Sequence, residues 1–283
     1  MNTSAVRVVT VAFNPGDELE SFASTLRAAT GRDVVLVIVD NGTETDVVDG
    51  VAQRHGAEVV RPGTNLGYGA AANLGARAGE EPWVVVSNPD IRWEPGSLDE
   101  LLDAADRHPR AGSLGPQILN PDGTTYPSGR AVPSLTQGAG HAIFVRVWPG
   151  NPWTRRYHRR QEQVRLTEHA VGWLSGACLL LRREALRELG GFDESYFMFF
   201  EDVDLGERLG NAGWENVFVP TARVVHDQGA SWRERPARMI RAHHRSAEQY
   251  LHRRYAAWYQ LPLRLAISAG LRGRAWLETR GAR

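Results

Sequence analysis

Three features of the chain predict an α/β fold built on a doubly wound, mostly parallel sheet flanked by helices. Strand and helix signals alternate in β-α-β-α-β-α-β order through residue 90. Residues 34–39 form a continuous β-branched run, as in a strand buried on both faces of a parallel sheet. Three turns carrying polar or glycine-rich motifs fall at strand C-terminal ends, where the ligand crevice of such a sheet opens.

Taken in order, Val6–Ala12 is β-rich, and residues 17–29 place Leu19, Phe22, Ala23 and Leu26 at helical spacing. After the strand at 34–39, residues 43–55 read as a helix and 57–60 as a short strand. Residues 66–78 read as an Ala-rich helix and Trp83–Ser87 as another strand. Beyond Asp90 the pattern loosens. Ser97–Arg107 is helical, but 112–151 is full of Gly and Pro and reads as loop with short strands, and the basic segment 155–165 reads as a mobile loop over the site. Regularity returns with a strand at 173–182, helices at 183–189 and 203–212, and strands at 217–226. From Pro236 the chain reads as helical at least to Pro262. Ile240, His244, Ala247, Leu251, Tyr255 and Trp258 form one stripe there, with Arg238, Arg241, Arg245 and His252 on an adjacent face. The expected organisation is a nucleotide-binding half at 1–95, an acceptor-binding and catalytic half at 96–235, and a basic tail at 236–283.

Composition narrows the function classes. The 283 residues hold 33 basic and 33 acidic side chains, 42% apolar and 23% charged, which is globular and argues against collagen, coiled coil and wholesale disorder. The single cysteine, Cys178, reads as a small buried hydrophobe, so no intramolecular disulfide forms and a reducing compartment is expected. No apolar run approaches the ~18 residues of a membrane span, and the N-terminus lacks a signal-peptide pattern. Every basic residue is Arg, which excludes Schiff-base and P-loop lysines. Charge is unevenly spread: residues 236–283 carry ten Arg against Glu248 and Glu278, a net +8, so the rest of the chain carries −8. A basic amphipathic helix of this kind either lies on anionic lipid or packs its stripe on the body and leaves its arginines in water. No nucleic-acid partner is expected.

The motif turns suggest chemistry, each beside a plainer reading. Strand one ends in Ala12-Phe13-Asn14-Pro15 and strand two in Asp40-Asn41-Gly42. Asp40 could accept the N–H of a pyrimidine bracketed by backbone near Ala12 and Phe13; equally, Asp-Asn-Gly simply makes the turn. In the segment from Asn65 to Asn73, Gly67-x-Gly69-x-x-Ala72 formally matches a dinucleotide fingerprint, but it follows the third strand rather than the first. It reads as an anion-facing helix N-terminus, or as a helix start capped by Asn65. In Ser87-Asn88-Pro89-Asp90 the carboxylate could hold Mg²⁺ or Mn²⁺ against a diphosphate, or close a turn. Glu201, Asp202 and Asp204 follow Met198-Phe199-Phe200, a partly desolvated acidic cluster suited to a general base, or acids complementing a helix dipole. His226 ends a strand as a metal or diphosphate contact, or as a structural histidine.

In this order the segments "VAFNPGDEL", "VIVDNGT", "NLGYGAAANLG", "VVVSNPDI", "WLSGACLLLRREALRELGGFDESYFMFFEDVDLGERL" and "VVH" resemble family 2 glycosyltransferases of the GT-A, Rossmann-like fold. Within that family they most resemble bacterial rhamnosyltransferases of cell-wall and O-antigen assembly, above all those acting on N-acetylglucosaminyl-diphospho-polyprenol. The resemblance implies that Asp40 contacts the base, with Ala12, Phe13, Asn14, Asn65, Gly67, Asn73 and Asn88 grouped around the nucleotide-sugar. Asp90 stands for the metal acid of the family's DxD element, which reads Asn88-Pro89-Asp90 here and so lacks its first acid. Asp202 maps onto the catalytic base with Glu201 beside it, and Trp173, Gly176 and Ala177 fall at the sugar and acceptor pocket. His226 falls at a metal or diphosphate contact. The resemblance further implies dTDP-β-L-rhamnose as donor, a polyprenyl-diphosphate-linked acceptor, and Mg²⁺ or Mn²⁺. It places the chain in the cytoplasm, peripheral on the inner face of the plasma membrane, with a homodimer left open. The Gln-x-x-Arg-Trp signature of processive synthases is absent, so one sugar per encounter is expected. UDP- and GDP-sugars stay open as donors. A nucleotide-dependent oxidoreductase would need its fingerprint after the first strand, where Phe13-Asn14-Pro15-Gly16 stands instead.

Overall fold

The computed structural model describes residues 6–133, 167–227 and 236–281. The basic segment 155–165 and the residues after Asp227 in the last motif lie outside them. The first half builds as expected. Strand β1 (Val6–Ala12) pairs in parallel with β2 (Val34–Asp40) and β4 (Trp83–Ser87), and β3 (Glu58–Val60) extends β2 in the same sense. Helices α1 (Glu18–Ala29), α2 (Asp46–His55) and α3 (Tyr68–Arg77) connect them. Alternation along β1 feeds two cores: Val6 and Val8 pack under α1, α2 and α4 (Ser97–Arg107), while Val9 and Val11 pack under α3 on the other face.

The second half corrects the loop expected over 112–151. Between β5 (Ile91–Trp93) and the two-residue strands β7 (Thr125–Tyr126) and β8 (Gly129–Arg130) runs β6 (Ala111–Leu119), nine residues long and almost wholly buried. Its glycines are there for room: a Cβ at Gly115 would stand 2.8 Å from the Leu174 side chain, and one at Gly112 would stand 2.7 Å from Leu209. Pro116 falls where the ladder to β12 (Glu215–His226) shifts register between Val219 and Arg223, so its missing N–H coincides with an irregularity.

The single strand expected at 173–182 is also corrected. It breaks at 175–177 into β10 (Trp173–Leu174) and β11 (Cys178–Arg182). β11 inserts antiparallel between β4 and β6, giving the order β3-β2-β1-β4-β11-β6-β12-β5, with β9 (His169–Val171) on β12. Helices α5 (Arg183–Glu188) and α6 (Glu201–Asn211) cover the α3 face. Cys178 is free and buried, and burial pushes its thiol up to about 12.

The tail is two helices rather than one. Helix α7 (Pro236–Arg254) ends in a turn, and α8 (Leu261–Gly281) folds back along it with Pro262 in its first turn, where no helical N–H is lost. The buried face of α7 is Met239, Ser246, Ala247 and Tyr250; the predicted stripe divides, with Leu251 packing inward and Trp258 85% exposed. Ser246 Oγ donates to the Met198 carbonyl at 2.7 Å and Tyr250 Oη to Glu207 at 2.6 Å, so α7 is anchored beside the start of α6. No helix among the described residues is long and apolar enough to cross a membrane.

Candidate active site

The C-terminal ends of β1, β2 and β4 meet the 175–177 turn and the first turn of α6. Past the ends of β1 and β2, Asn14 takes φ 47° and its Oδ1 accepts the Thr43 N–H at 2.8 Å, stitching the two strand ends together. Phe13 beside it is 42% exposed, a large ring left facing solvent. Asp40 is buried; its Oδ2 receives Arg61 Nε at 3.1 Å and its Oδ1 the Gly42 N–H at 3.3 Å. Arg61 is thus a cation beside Asp40 that sequence reasoning missed.

Asn65 and Asn41 shape the loop before α3. Asn65 Oδ1 accepts the Gly67 N–H and Asn41 Nδ2, both at 2.9 Å, while Asn41 Oδ1 accepts the Leu66 N–H at 2.9 Å. Gly67 has φ 84°, and a Cβ there would sit 2.2 Å from the Phe197 carbonyl oxygen, so only glycine fits. Asn73 is not brought to this crevice. Its buried amide bonds both the N–H and the C=O of Phe192 at 2.8 Å, clamping α3 to the 190–194 loop.

Tyr68, also missed from the sequence, bridges the two halves: its hydroxyl donates to the Gly176 carbonyl at 2.6 Å. Burial, then the charges of Glu201, Asp202 and Asp90 among its neighbours, push its phenol well above the usual range, so it stays a neutral donor. From the same turn the Gly176 N–H reaches Asp202 Oδ2 at 2.9 Å. Asp202 Oδ1 accepts the Val203 N–H at 2.8 Å. Burial raises the Asp202 carboxyl, opposed by those two N–H groups and by the charge of Arg130. Arg130 stacks over Tyr126 and Trp173, 5.1 and 5.2 Å from the ring centroids. Trp173 itself is buried, its Nε1 donating to Ala131 O at 3.1 Å.

Glu201 is buried behind Asp202, and burial followed by the Asp202 charge pushes its carboxyl up to about 8. Asp204 points away from the pair, accepting Arg208 Nε at 2.6 Å. Phe199 and Phe200 both take φ 68°, an uncommon run of left-handed non-glycine residues that starts α6, and Phe200 packs on Tyr250 of α7 at 5.5 Å.

At the end of β4, Asn88 Nδ2 lies 3.2 Å from His226 Nε2, and that nitrogen lies 3.0 Å from Asp90 Oδ1. Asp90 Oδ1 and His226 Nδ1 are nonetheless buried without a hydrogen-bond partner among the described residues. Two lone-pair donors side by side, one of them an oxygen without a hydrogen bond, fit a divalent cation that takes its remaining ligands from a diphosphate and water. No group of three His, Cys, Asp or Glu that could hold a metal occurs among the described residues, so this is a two-ligand fit.

Comparisons with known proteins identify the family. Over 99% of its length the chain is 47% identical to the N-acetylglucosaminyl-diphospho-decaprenol L-rhamnosyltransferase of Mycobacterium tuberculosis, covering 94% of that protein. It is 36% identical to the O-antigen biosynthesis protein RfbC of Myxococcus xanthus over 59% of the chain and 12% of that protein. Among solved structures, GalNAc-T7 with UDP, GalNAc and Mn²⁺ superposes with a TM-score of 0.61 at 17% identity, covering 81% of this chain and 44% of that one, a likeness in the GT-A fold. The family described as glycosyltransferase like family 2 matches residues 5–245, and the chain belongs to that family of glycosyltransferases.

Proposed function

We propose that the chain moves one L-rhamnosyl unit from dTDP-β-L-rhamnose to a hydroxyl of N-acetylglucosaminyl-diphospho-polyprenol, with inversion. The observation that carries this reading is the 47% identity, over 99% of the chain, to an enzyme named as an L-rhamnosyltransferase of N-acetylglucosaminyl-diphospho-decaprenol. Residues 1–95 form the donor half, 96–235 the acceptor and catalytic half, and 236–283 the tail.

Asp202 acts as the general base. Its carboxylate takes the proton of the acceptor hydroxyl as that oxygen attacks the anomeric carbon from the face opposite the nucleotide. The bond to the diphosphate oxygen breaks, its electron pair leaves with dTDP, and the β-linked sugar becomes an α-L-rhamnoside. Asp40, with backbone at Ala12 and Phe13, holds the base, and Arg61 orients Asp40. Asn14, Asn65 and Gly67 fix the loops on which these groups ride, and Asn88 orients His226. Glu201 keeps the pocket behind Asp202 uncharged, and Gly176 with Trp173 forms the acceptor wall. Asp90 and His226 would hold Mg²⁺ or Mn²⁺, which when bound offsets charge on the leaving diphosphate. A lipid-linked acceptor places the enzyme at the inner face of the plasma membrane, where the +8 tail meets anionic lipid.

The test is a thermal-shift panel of dTDP, UDP, GDP and NAD with and without Mg²⁺ or Mn²⁺, followed by transfer assays on a lipid-linked N-acetylglucosamine diphosphate. The expected result is a metal-dependent shift largest with dTDP, and rhamnose incorporation. A larger shift with UDP, or transfer of another sugar, would overturn the donor assignment.

A further inference from the structure

The two tail helices enclose a cleft of about 970 Å³ that the catalytic site does not use. They run antiparallel and are held at three levels: His244 to Glu278, Glu248 to Arg272, and His252 to Ser268. Four arginines and two histidines line the cleft against one acid, Glu248, and that acid is already paired with Arg272 at 2.9 Å. Arg241 and Arg245 stand on successive turns of α7, exposed, and their guanidinium groups make no ion pair among the described residues. Leu271, Ala275 and Trp276 form the apolar wall opposite.

The α7–α8 connection and α8 expose apolar side chains where a water-facing surface would be polar. Trp258 is 85% exposed, Leu265 63%, Leu277 59% and Trp276 53%. Cations that lack partners call for an anion, and exposed indole and leucine side chains call for a hydrocarbon boundary; one ligand class supplies both. A second copy of the chain would bring another +8 segment against the first, so charge opposes that occupant.

We propose that the α7–α8 cleft binds the phosphate headgroup of an anionic phospholipid at Arg241 and Arg245 while Trp258, Leu265 and Trp276 enter the bilayer interface. This assigns a defined headgroup site to the membrane-facing tail proposed above and rests on that reading. The catalytic crevice lies on the other side of α7, past Tyr250 and Phe200, so bilayer docking and donor binding use separate residues.

The experiment is co-sedimentation of the full chain with vesicles of phosphatidylcholine alone and of phosphatidylcholine with phosphatidylglycerol. Wild type is expected to bind the anionic vesicles. The pair Arg241→Gln and Arg245→Gln is expected to weaken that binding roughly 30-fold. The pair Trp258→Ser and Leu265→Ser is expected to weaken it while preserving its salt dependence. Each variant is admitted only if it melts as wild type does. Competition by soluble glycerol phosphate at matched phosphate concentration should fail; success would make the cleft a free-phosphate site and overturn the lipid assignment. Unchanged vesicle binding in the arginine pair would overturn the proposal, as would apolar variants that only abolish self-association in sedimentation velocity. The dTDP thermal shift, read on the same preparations, separates failure of the donor reading from failure of the cleft.

Discussion

The Gly176 backbone N–H points at Asp202 Oδ2 from 2.9 Å, so the turn that opens β11 holds the carboxylate that α6 supplies. Two N–H groups on one carboxylate favour its charged form at a site whose burial disfavours it. Asp202→Asn keeps the shape but places an amide where the proposed reaction takes its proton. Transfer is expected to fall by about 10²–10⁴-fold with the dTDP thermal shift retained; loss of both would make Asp202 structural.

Arg130 acts on the same group from across the pocket. Its charge helps pull the Asp202 carboxyl down, after the two backbone N–H groups. Arg130→Gln should therefore move the acid limb of the kcat/KM profile to higher pH, because the base then stays protonated longer. Arg130→Lys should restore the limb. A profile that moves in neither variant removes Arg130 from the base's environment.

Glu201 gives a stability signature of the opposite kind. Its folded-state carboxyl titrates near 8, above its unfolded range, so the folded state binds the extra proton between the two. Stability falls as pH rises through that window and stays low above it. Glu201→Gln removes this slope, so its unfolding free energy relative to wild type should increase with pH, by on the order of 5 kcal/mol at most across the window, read as a melting temperature that gains on wild type. Parallel melting curves across the window would contradict it.

The pairing of Asp90 and His226 predicts how metal dependence responds to substitution. His226→Ala is expected to raise the Mn²⁺ concentration needed for the dTDP thermal shift by at least about tenfold, with the metal-free shift unchanged. Equal effects with and without metal would place His226 in nucleotide contact alone.

Far from the site, Arg7 and Arg183 share Glu81, at 2.9 and 3.3 Å, with both guanidiniums almost fully buried. Burial works against the Glu81 charge, but the Arg7 hydrogen bond and the two arginine charges outweigh it and hold the carboxyl below its usual range. That contribution is present above the unfolded carboxyl range and is lost as pH falls through the depressed folded value. Glu81→Ala leaves Arg183 without its ion pair and Arg7 with Glu58 alone, at 3.1 Å, and should cost roughly 3 kcal/mol in urea unfolding; a loss under half that would mean water already screens the pair.

The first ninety residues were legible because their strands are uninterrupted runs such as the one at 34–39, and their helices carry clean spacing such as Leu19-Phe22-Ala23-Leu26. Strand β6 hid behind Gly112, Gly115 and Pro116, residues that signal loops in a sequence but here make room for Leu209 and Leu174 and occupy a register shift. Asp90 and His226 stood out as polar residues ending strands, and the structure brings them within 3.0 Å. Arg130, Tyr68 and Arg61 did not, because their meaning depends on partners distant in sequence: Trp173, Gly176 and Asp40. Asn73 misled for the converse reason; it sits in a motif segment yet spends its amide on Phe192.

The reversed direction of β11 has a consequence for how such an enzyme can drift. Cys178 pairs with Ser87, so the last residue of β4 and the first residue of β11 share a single ladder. A slip in that ladder would displace Asp90 and Gly176 together, and with Gly176 the grip on Asp202. The two ends of the candidate site therefore cannot be shifted through this seam one at a time; Arg61, after β3, and Arg130, on the separate β8–β10 ladder, lie off it and can change while the frame stays put.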